Sequence, residues 1–182
     1  MPQMEIGASN TASYKTSFIP TTTIALTRNA DAFTRNNIYT NGLITSAGGT
    51  WFVELNNALS LIRDNSGFSL FISTIAGGSG GDGFLFYNPV STFTRLQIIK
   101  YVSGSATAIY TLPSDIVKLA IKWDTSNANI FANGSKVVNS SAFTGFNMQY
   151  LSTGTLGVST YIKSMLLFPT PLTDTECIAI TQ

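Results

Sequence analysis

IVKLAIKWDTSNANIFANGSKVV, running from Ile116 to Val138, decides the fold class. Val117, Leu119, Ile121 and Trp123 alternate with Lys118, Ala120 and Lys122, the two-residue period of a strand with one buried face. A polar turn, a second strand, the dipeptide Asn133-Gly134 and a third strand follow. Asn-Gly suits a two-residue hairpin because both central residues need positive φ, which these two tolerate best. Alternation and turn chemistry agree on a β-meander, so function is expected on a sheet surface or its loops. A helical or nucleotide-binding pocket is not.

Outward from this meander the pattern repeats. Gly48-Gly49 turns the chain into TWFVELNN, where Trp51, Val53 and Leu55 alternate with Phe52 and Glu54. Large residues on both sides predict a central strand. Thr21 to Thr27, Leu59 to Ile62, Phe68 to Ile75, Gly83 to Tyr87, Arg95 to Val102 and Ala106 to Leu112 are further strands, as are Leu156 to Ser159 and Tyr161 to Phe168. They are divided by polar stretches such as RDNSG, AGGSGGDG and Ser103-Gly104-Ser105. Asp31 to Thr40 reads as a loop leading into Gly42-Leu43-Ile44. Thr173 to Ile180 is the one credible helix, with Thr173 as N-cap and Asp174 and Glu176 where the helix dipole favours negative charge. About eleven short strands at this spacing predict a two-sheet sandwich or jelly roll. The first twenty residues are irregular and bounded by Pro20. The expected organisation is a connecting arm over 1–20 and one β domain over 21–182.

Composition narrows the function. Charged residues make up only 10% of the 182 residues, against roughly 25% in ordinary soluble domains. Ser, Thr, Asn and Gly supply the polarity instead, a composition that fits an extracellular or virion-surface module. No run approaches the roughly 18 apolar residues of a membrane helix, and MPQMEIGASN lacks the basic and apolar regions of a signal peptide. The net charge is +1 and the basic residues are scattered, so nothing supports nucleic-acid binding. The chain has no histidine and one cysteine, Cys177. That removes Ser-His-Asp and Cys-His nucleophiles, most zinc sites and an internal disulfide.

Three stretches carry a family resemblance. The first is Pro2, Gln3, Met4, Glu5 and Gly7, then Thr16-Ser17-Phe18-Ile19-Pro20-Thr21 and Thr27-Arg28-Asn29-Ala30-Asp31. The second is Leu119-Ala120-Ile121-Lys122-Trp123-Asp124 with Ile130-Phe131-Ala132-Asn133-Gly134-Ser135-Lys136-Val137. The third is IKSMLLFPTPLTDTECIAI, Ile162 to Ile180. Together they resemble the laminin G-like or concanavalin A-like jelly rolls of bacteriophage fibre proteins. The resemblance implies an all-β, two-sheet antiparallel jelly-roll sandwich with a short C-terminal helix. It also implies a virion-surface setting, a homotrimer, other virion proteins as partners and a host-surface glycan as ligand. In such fibres the N-terminal motif ends or follows a preceding domain, which implies a fragment of a longer fibre, a product of internal initiation or a short virion protein. Jelly rolls host lectins, glucanases and structural modules alike, so the fold names no ligand.

Chemistry is sparse. Glu5, Glu54 and Glu176 are the only glutamates, the aspartates are dispersed, and no E-x-D-x-x-E arrangement marks a glucanase. The chain is read as no enzyme, with no cofactor. Ala76 to Gly83 is glycine-rich but lacks the Gly-Lys-Ser/Thr ending of a phosphate-binding loop. No D-x-D-x-D spacing surrounds Asp82 or Asp124, so no metal site is predicted. Trp51 and Trp123 are assigned to the core, and Cys177 is read as a buried small hydrophobe. Tyr87, Tyr101, Tyr110 and Tyr150 are the candidates for a sugar platform, because an apolar ring with a wet tip suits stacking on sugars. Asp82, in the glycine-rich loop, joins them. Tyr101 alternates with Ile99 and Gln97 in a pattern equally compatible with packing on another subunit, and Phe52 and Ile99 are expected as exposed subunit contacts. A second function class stays open beside glycan adhesion: a capsid or tail decoration module that binds only virion proteins. A depolymerase ranks third.

Overall fold

A computed structural model describes residues 34–55, 67–76, 78, 80–88, 96–113, 116–145, 147–153 and 162–182. The arm expected over 1–20 lies outside them, as do the strands expected at Thr21 to Thr27, Leu59 to Ile62 and Leu156 to Ser159. Eleven strands and one helix are described: β1 (Thr34–Asn36), β2 (Gly49–Leu55), β3 (Gly67–Ser73), β4 (Gly83–Asn88), β5 (Leu96–Val102), β6 (Ser105–Leu112), β7 (Lys118–Trp123), β8 (Asn127–Ala132), β9 (Ser135–Ala142), β10 (Tyr150–Thr153), β11 (Ile162–Phe168) and α1 (Asp174–Thr181). They form two antiparallel sheets, a six-stranded one ordered β1-β10-β3-β4-β5-β6 and a five-stranded one ordered β11-β2-β7-β8-β9. This is the all-β jelly-roll sandwich with a short C-terminal helix that the strand spacing and the family resemblance imply.

The meander folds as its residues dictate. Asn133 and Gly134 take φ of 44° and 76°, the left-handed pair that a tight hairpin requires. The Asn133 side chain adds a clip: its Oδ1 accepts from the backbone N–H groups of Val117 and Lys118, each at 3.1 Å. At the other turn, Asp124 Oδ1 accepts from the backbone of Ser126 at 2.8 Å and of Asn127 at 2.9 Å. Each turn is thus locked by its own first polar residue, which fixes the register of three strands.

The two sheets meet through aromatic side chains. Trp51 of β2 stands edge-on to Phe86 of β4, with centroids 5.5 Å apart at 87°. Phe84 of β4 packs against Trp123 of β7 at 5.8 Å and against Phe143 at 4.5 Å. Val53, Leu55, Leu70, Ile72, Leu119 and Ile121 fill the remaining space with no exposure. Each such side chain contributes on the order of 1.5–3 kcal/mol on burial. The edges are tied as well. Lys100 of β5 reaches the facing sheet, where its Nζ donates to Ser141 Oγ at 2.8 Å and to the carbonyl of Ala142. Burial lowers the Lys100 pKa.

The outer face of the five-stranded sheet is also covered. Ala120 pairs in register with Phe131 and with Phe52, and Ala120, Phe131 and Cys177 of α1 form a second, smaller apolar cluster. Helix α1 is held over it by polar contacts at both ends. Thr173 and Glu176 make the reciprocal capping box, Glu176 N donating to Thr173 Oγ1 and Thr173 N to Glu176 Oε2. Leu172 N donates to Thr50 Oγ1 of β2, and Gly134 N of the hairpin donates to Thr181 Oγ1. Phe52, expected as a subunit contact, is therefore only 5% exposed within the chain, because it shares the outer rows of a sheet that carries a helix. The strand Thr34–Asn36 lies where a loop is expected.

Two predictions follow from this packing. Gly83 has φ of 156°, and a Cβ there would stand 2.1 Å from the Ile72 carbonyl oxygen. Gly83→Ala is expected to cost about 3 kcal/mol, read as a lower urea midpoint at unchanged slope. Asp174 accepts from Lys122 at 2.6 Å and Lys136 at 2.8 Å, and these bonds hold its carboxyl below the usual carboxylate range. A depressed carboxyl pKa adds stability that is present above the unfolded value of about 3.9 and is lost as pH falls through the folded one. Because the Asp174 side chain is 46% exposed, Asp174→Asn is expected to cost only about 0.5–1 kcal/mol at neutral pH. The same substitution flattens the acid limb of the stability curve measured by denaturant titration.

Candidate functional site

The outer face of the six-stranded sheet gathers most of the residues that the sequence nominates. Register places Asn36, Tyr150, Ser73, Gly83, Tyr101 and Ala106 in one row across it. The next row, two residues along each strand, is Thr34, Ser152, Phe71, Leu85, Ile99 and Ala108. A third row includes Tyr87, Gln97 and Thr111. Phe71, Leu85 and Ile99 form an apolar cluster separate from the main core, with Tyr87, Tyr101 and Tyr150 packed around it. The strands between them alternate correctly, since Phe84 and Phe86 point to the core and Leu85 points away.

This floor is closed. Phe71 is 4%, Leu85 0% and Ile99 8% exposed. Ile99, expected as an exposed subunit contact, is thus buried within the chain, packed among its neighbours on a hydrophobic face. Part of the cover is the glycine-rich loop. A Cβ on Gly78 would stand 2.7 Å from the Phe71 ring, so only a glycine backbone can lie on that ring. Ser73 Oγ donates to the Gly78 carbonyl at 3.4 Å and accepts from Ile75 N at 3.3 Å. Asp82 ties the far end of the loop, its Oδ1 accepting from the backbone N–H of Ser103 in the β5–β6 turn. What this face presents is therefore the three half-buried tyrosines and the flanking polar groups, and not the floor itself. Those flanks are paired in a way that orients them: Thr34 Oγ1 and Ser152 Oγ are 2.8 Å apart, and Gln97 Nε2 donates to Thr111 Oγ1 at 3.4 Å.

Tyr110 does not join the others. A register shift between Ile98 and Ile99 sets Tyr110 opposite Ile98 and Ala108 opposite Ile99. The extra residue, Ile109, turns Tyr110 from the outer face to the inner one, where it packs on the main core. The residues that sequence reasoning passed over are Phe71 and Leu85, which read as core, and Ser152 on the short strand β10.

No assembled hydrolytic pair exists among the described residues. Glu54 accepts from Ser164 at 3.2 Å and lies 3.8 Å from Lys163. Glu176 caps the helix, Asp174 binds two lysines, Asp82 holds a turn, and Asp124 holds another. Burial raises the Asp124 pKa, but hydrogen bonds from Ser126 and Asn127 outweigh it and the net shift is downward. Each described carboxylate has a structural partner. No cluster of three metal-ligating side chains occurs among the described residues. Cys177 is buried, and burial pushes its thiol up to about 11.

No family model matches the sequence, and no curated protein matches it. Solved structures do share the architecture. A leech intramolecular trans-sialidase, solved with 2,7-anhydro-Neu5Ac, aligns at TM-score 0.47 and 18% identity over 78% of this chain and 24% of its own. This chain therefore spans about a quarter of that enzyme. Domain 4 of an extracellular arabinanase from Geobacillus stearothermophilus, in complex with arabinotriose, aligns at 0.47 and 14% identity over 78% of this chain and 69% of its own. A homodimeric agglutinin from chicken liver aligns at 0.45 and 12% identity, covering 75% of this chain and 99% of its own. At such identities none of these likenesses assigns a ligand or an assembly to the present chain.

The thiol supplies a direct check on the packing of α1. In the folded protein Cys177 is expected to resist a thiol-specific disulfide reagent at pH about 8, because the thiolate is the nucleophile and burial suppresses it. In denaturant the same cysteine reacts at the ordinary rate.

Proposed function

We propose that this chain is a non-catalytic glycan-binding module, displayed on a bacteriophage fibre or appendage, and that it holds sugar on the outer face of its six-stranded sheet. The observation that supports the reading is the convergence of Tyr87, Tyr101 and Tyr150 on one face. Residues scattered over sixty positions of sequence come together there beside hydroxyl and amide side chains. A sugar presents apolar C–H patches and a periphery of hydroxyls, and a rim of tyrosines flanked by Ser, Thr and Gln answers both needs. The described carboxylates are engaged in folding contacts, which favours binding over hydrolysis. The virion-surface setting and the homotrimer are parts of the proposal that rest on the sequence resemblance. In a fibre, weak single sites gain roughly 10²–10⁴ in avidity.

One observation favours the decoration-module reading. Leu166 is 52% exposed on β11, the described edge of the five-stranded sheet, and exposed apolar side chains on a sheet edge suit a protein partner. Titration against a panel of immobilised glycans separates the two. Glycan binding that weakens about 2- to 10-fold in Tyr101→Ala or Tyr150→Ala, the value of one aromatic contact, supports adhesion. No binding to any glycan, together with specific capture of a purified virion protein that Leu166→Asp abolishes, overturns it.

A further inference from the structure

We infer that the glycan taken by this face is uncharged, a neutral oligosaccharide and not a sialylated or uronic-acid chain; the inference deepens the glycan reading and rests on it. The described strands of the six-stranded sheet and the loop before β4 carry three charged side chains, and neither of the two cations falls in an outward row. Arg35 of β1 pairs in register with Leu151, whose side chain belongs to the main core, so Arg35 is out of step with the outward rows of Thr34 and Asn36. Lys100 of β5 pairs with Phe84 on the core side and spends its ammonium group on Ser141 and Ala142 of the opposite sheet. Asp82, the third, is an anion at the end of the face, and its carboxylate is engaged by the Ser103 amide.

Every other described charge belongs to the five-stranded sheet, its connections or α1. Lys122 and Lys136, for example, are both bound to Asp174 there. Among the described residues, no cation belongs to the outward rows that hold the tyrosines. A carboxylate brought against Tyr101 and Tyr150 would lose hydration with no cation of the described outward rows to replace it and would approach Asp82, a like charge. Neutral hydroxyls meet no such cost. They find donors and acceptors in Gln97, Thr111 and Thr34.

The test measures binding of the full chain to matched probes by isothermal titration: lactose and maltotriose against 3′-sialyllactose and trigalacturonate, each at low and high salt. The expected result is binding of a neutral probe, at least about tenfold weaker binding of its acidic counterpart, and little change of the neutral affinity with salt. Tyr101→Ala weakens the neutral binding, and Asp82→Asn narrows the gap between neutral and acidic probes. Acidic probes that bind as tightly as neutral ones, with binding lost in Tyr101→Ala, retain the glycan reading and overturn the inference. Acidic binding that disappears in Arg95→Ala overturns it equally, by identifying a cation that serves the face. If no probe binds, while the protein melts cooperatively, the glycan reading itself falls and the inference falls with it.

Discussion

Two phenylalanines on one strand, Phe84 and Phe86 of β4, face two tryptophans on the opposite sheet, and the rest of the sandwich is arranged around that contact. Phe86 meets Trp51 edge-on, and Phe84 lies between Trp123 and Phe143. Edge and tilted arrangements of this kind add about 0.5–1.5 kcal/mol each beyond simple burial. They also fix the distance and stagger of the two layers, because rings of this size fit only one registration. The interlock has a cost. Neither indole N–H finds a hydrogen-bond partner among the described residues, although both are buried, and an unmet donor costs on the order of 1–3 kcal/mol. Burial of the rings and of the aliphatic side chains around them, on the order of 1.5–3 kcal/mol each, offsets that penalty.

Once the sheets are spaced, their outer faces have different fates. The five-stranded sheet carries Ala120 at the centre of its outer face, and that small residue lets α1 lie close, with Cys177 against Ala120 and Phe131. Apolar contact alone would leave so short a helix marginal. Its hold comes from polar contacts to Thr50, Lys122, Lys136 and Gly134, spread over two strands on one side and the hairpin on the other. The Asn-Gly hairpin therefore does two jobs. It sets the register of β8 and β9, and it offers a backbone donor to the last turn of the helix.

The fold was legible from residues 116–138 because there every local cue agrees: alternation, turn type and the polar residues that lock each turn. The capping box was legible for the same reason, since Thr173 and Glu176 carry their own geometry. The candidate site was legible only in part. Tyr87, Tyr101 and Tyr150 follow simple alternation and arrive on one face, but Tyr110 lies beyond a bulge, and one inserted residue reverses every side chain after it. A bulge in β6 leaves no mark on a sequence as bland as SATAIYTL. Leu85 was hidden for another reason. GFLFY is apolar throughout, so nothing in it reveals which residues face the core and which the opposite side. Strands of two or three well-mixed polar residues, such as Thr34–Asn36, offer no period to read.

The buried floor beneath the tyrosines seals the sheet face that the proposed function assigns to a glycan. An open patch of Phe, Leu and Ile would favour any apolar partner, including a neighbouring copy's sheet. Here Phe71, Leu85 and Ile99 are nearly inaccessible, so they stiffen the face without advertising it. What remains on the surface is a set of half-buried tyrosines whose rings are braced from below, and bracing matters because a side chain already fixed loses less entropy when a ligand arrives. The glycine-rich loop has the same logic. Gly78 can lie on the Phe71 ring only because it lacks a side chain, and its own N–H and carbonyl are taken up by Ile75 and Ser73. A rigid aromatic rim flanked by hydroxyl and amide side chains would discriminate by shape and hydrogen bonding.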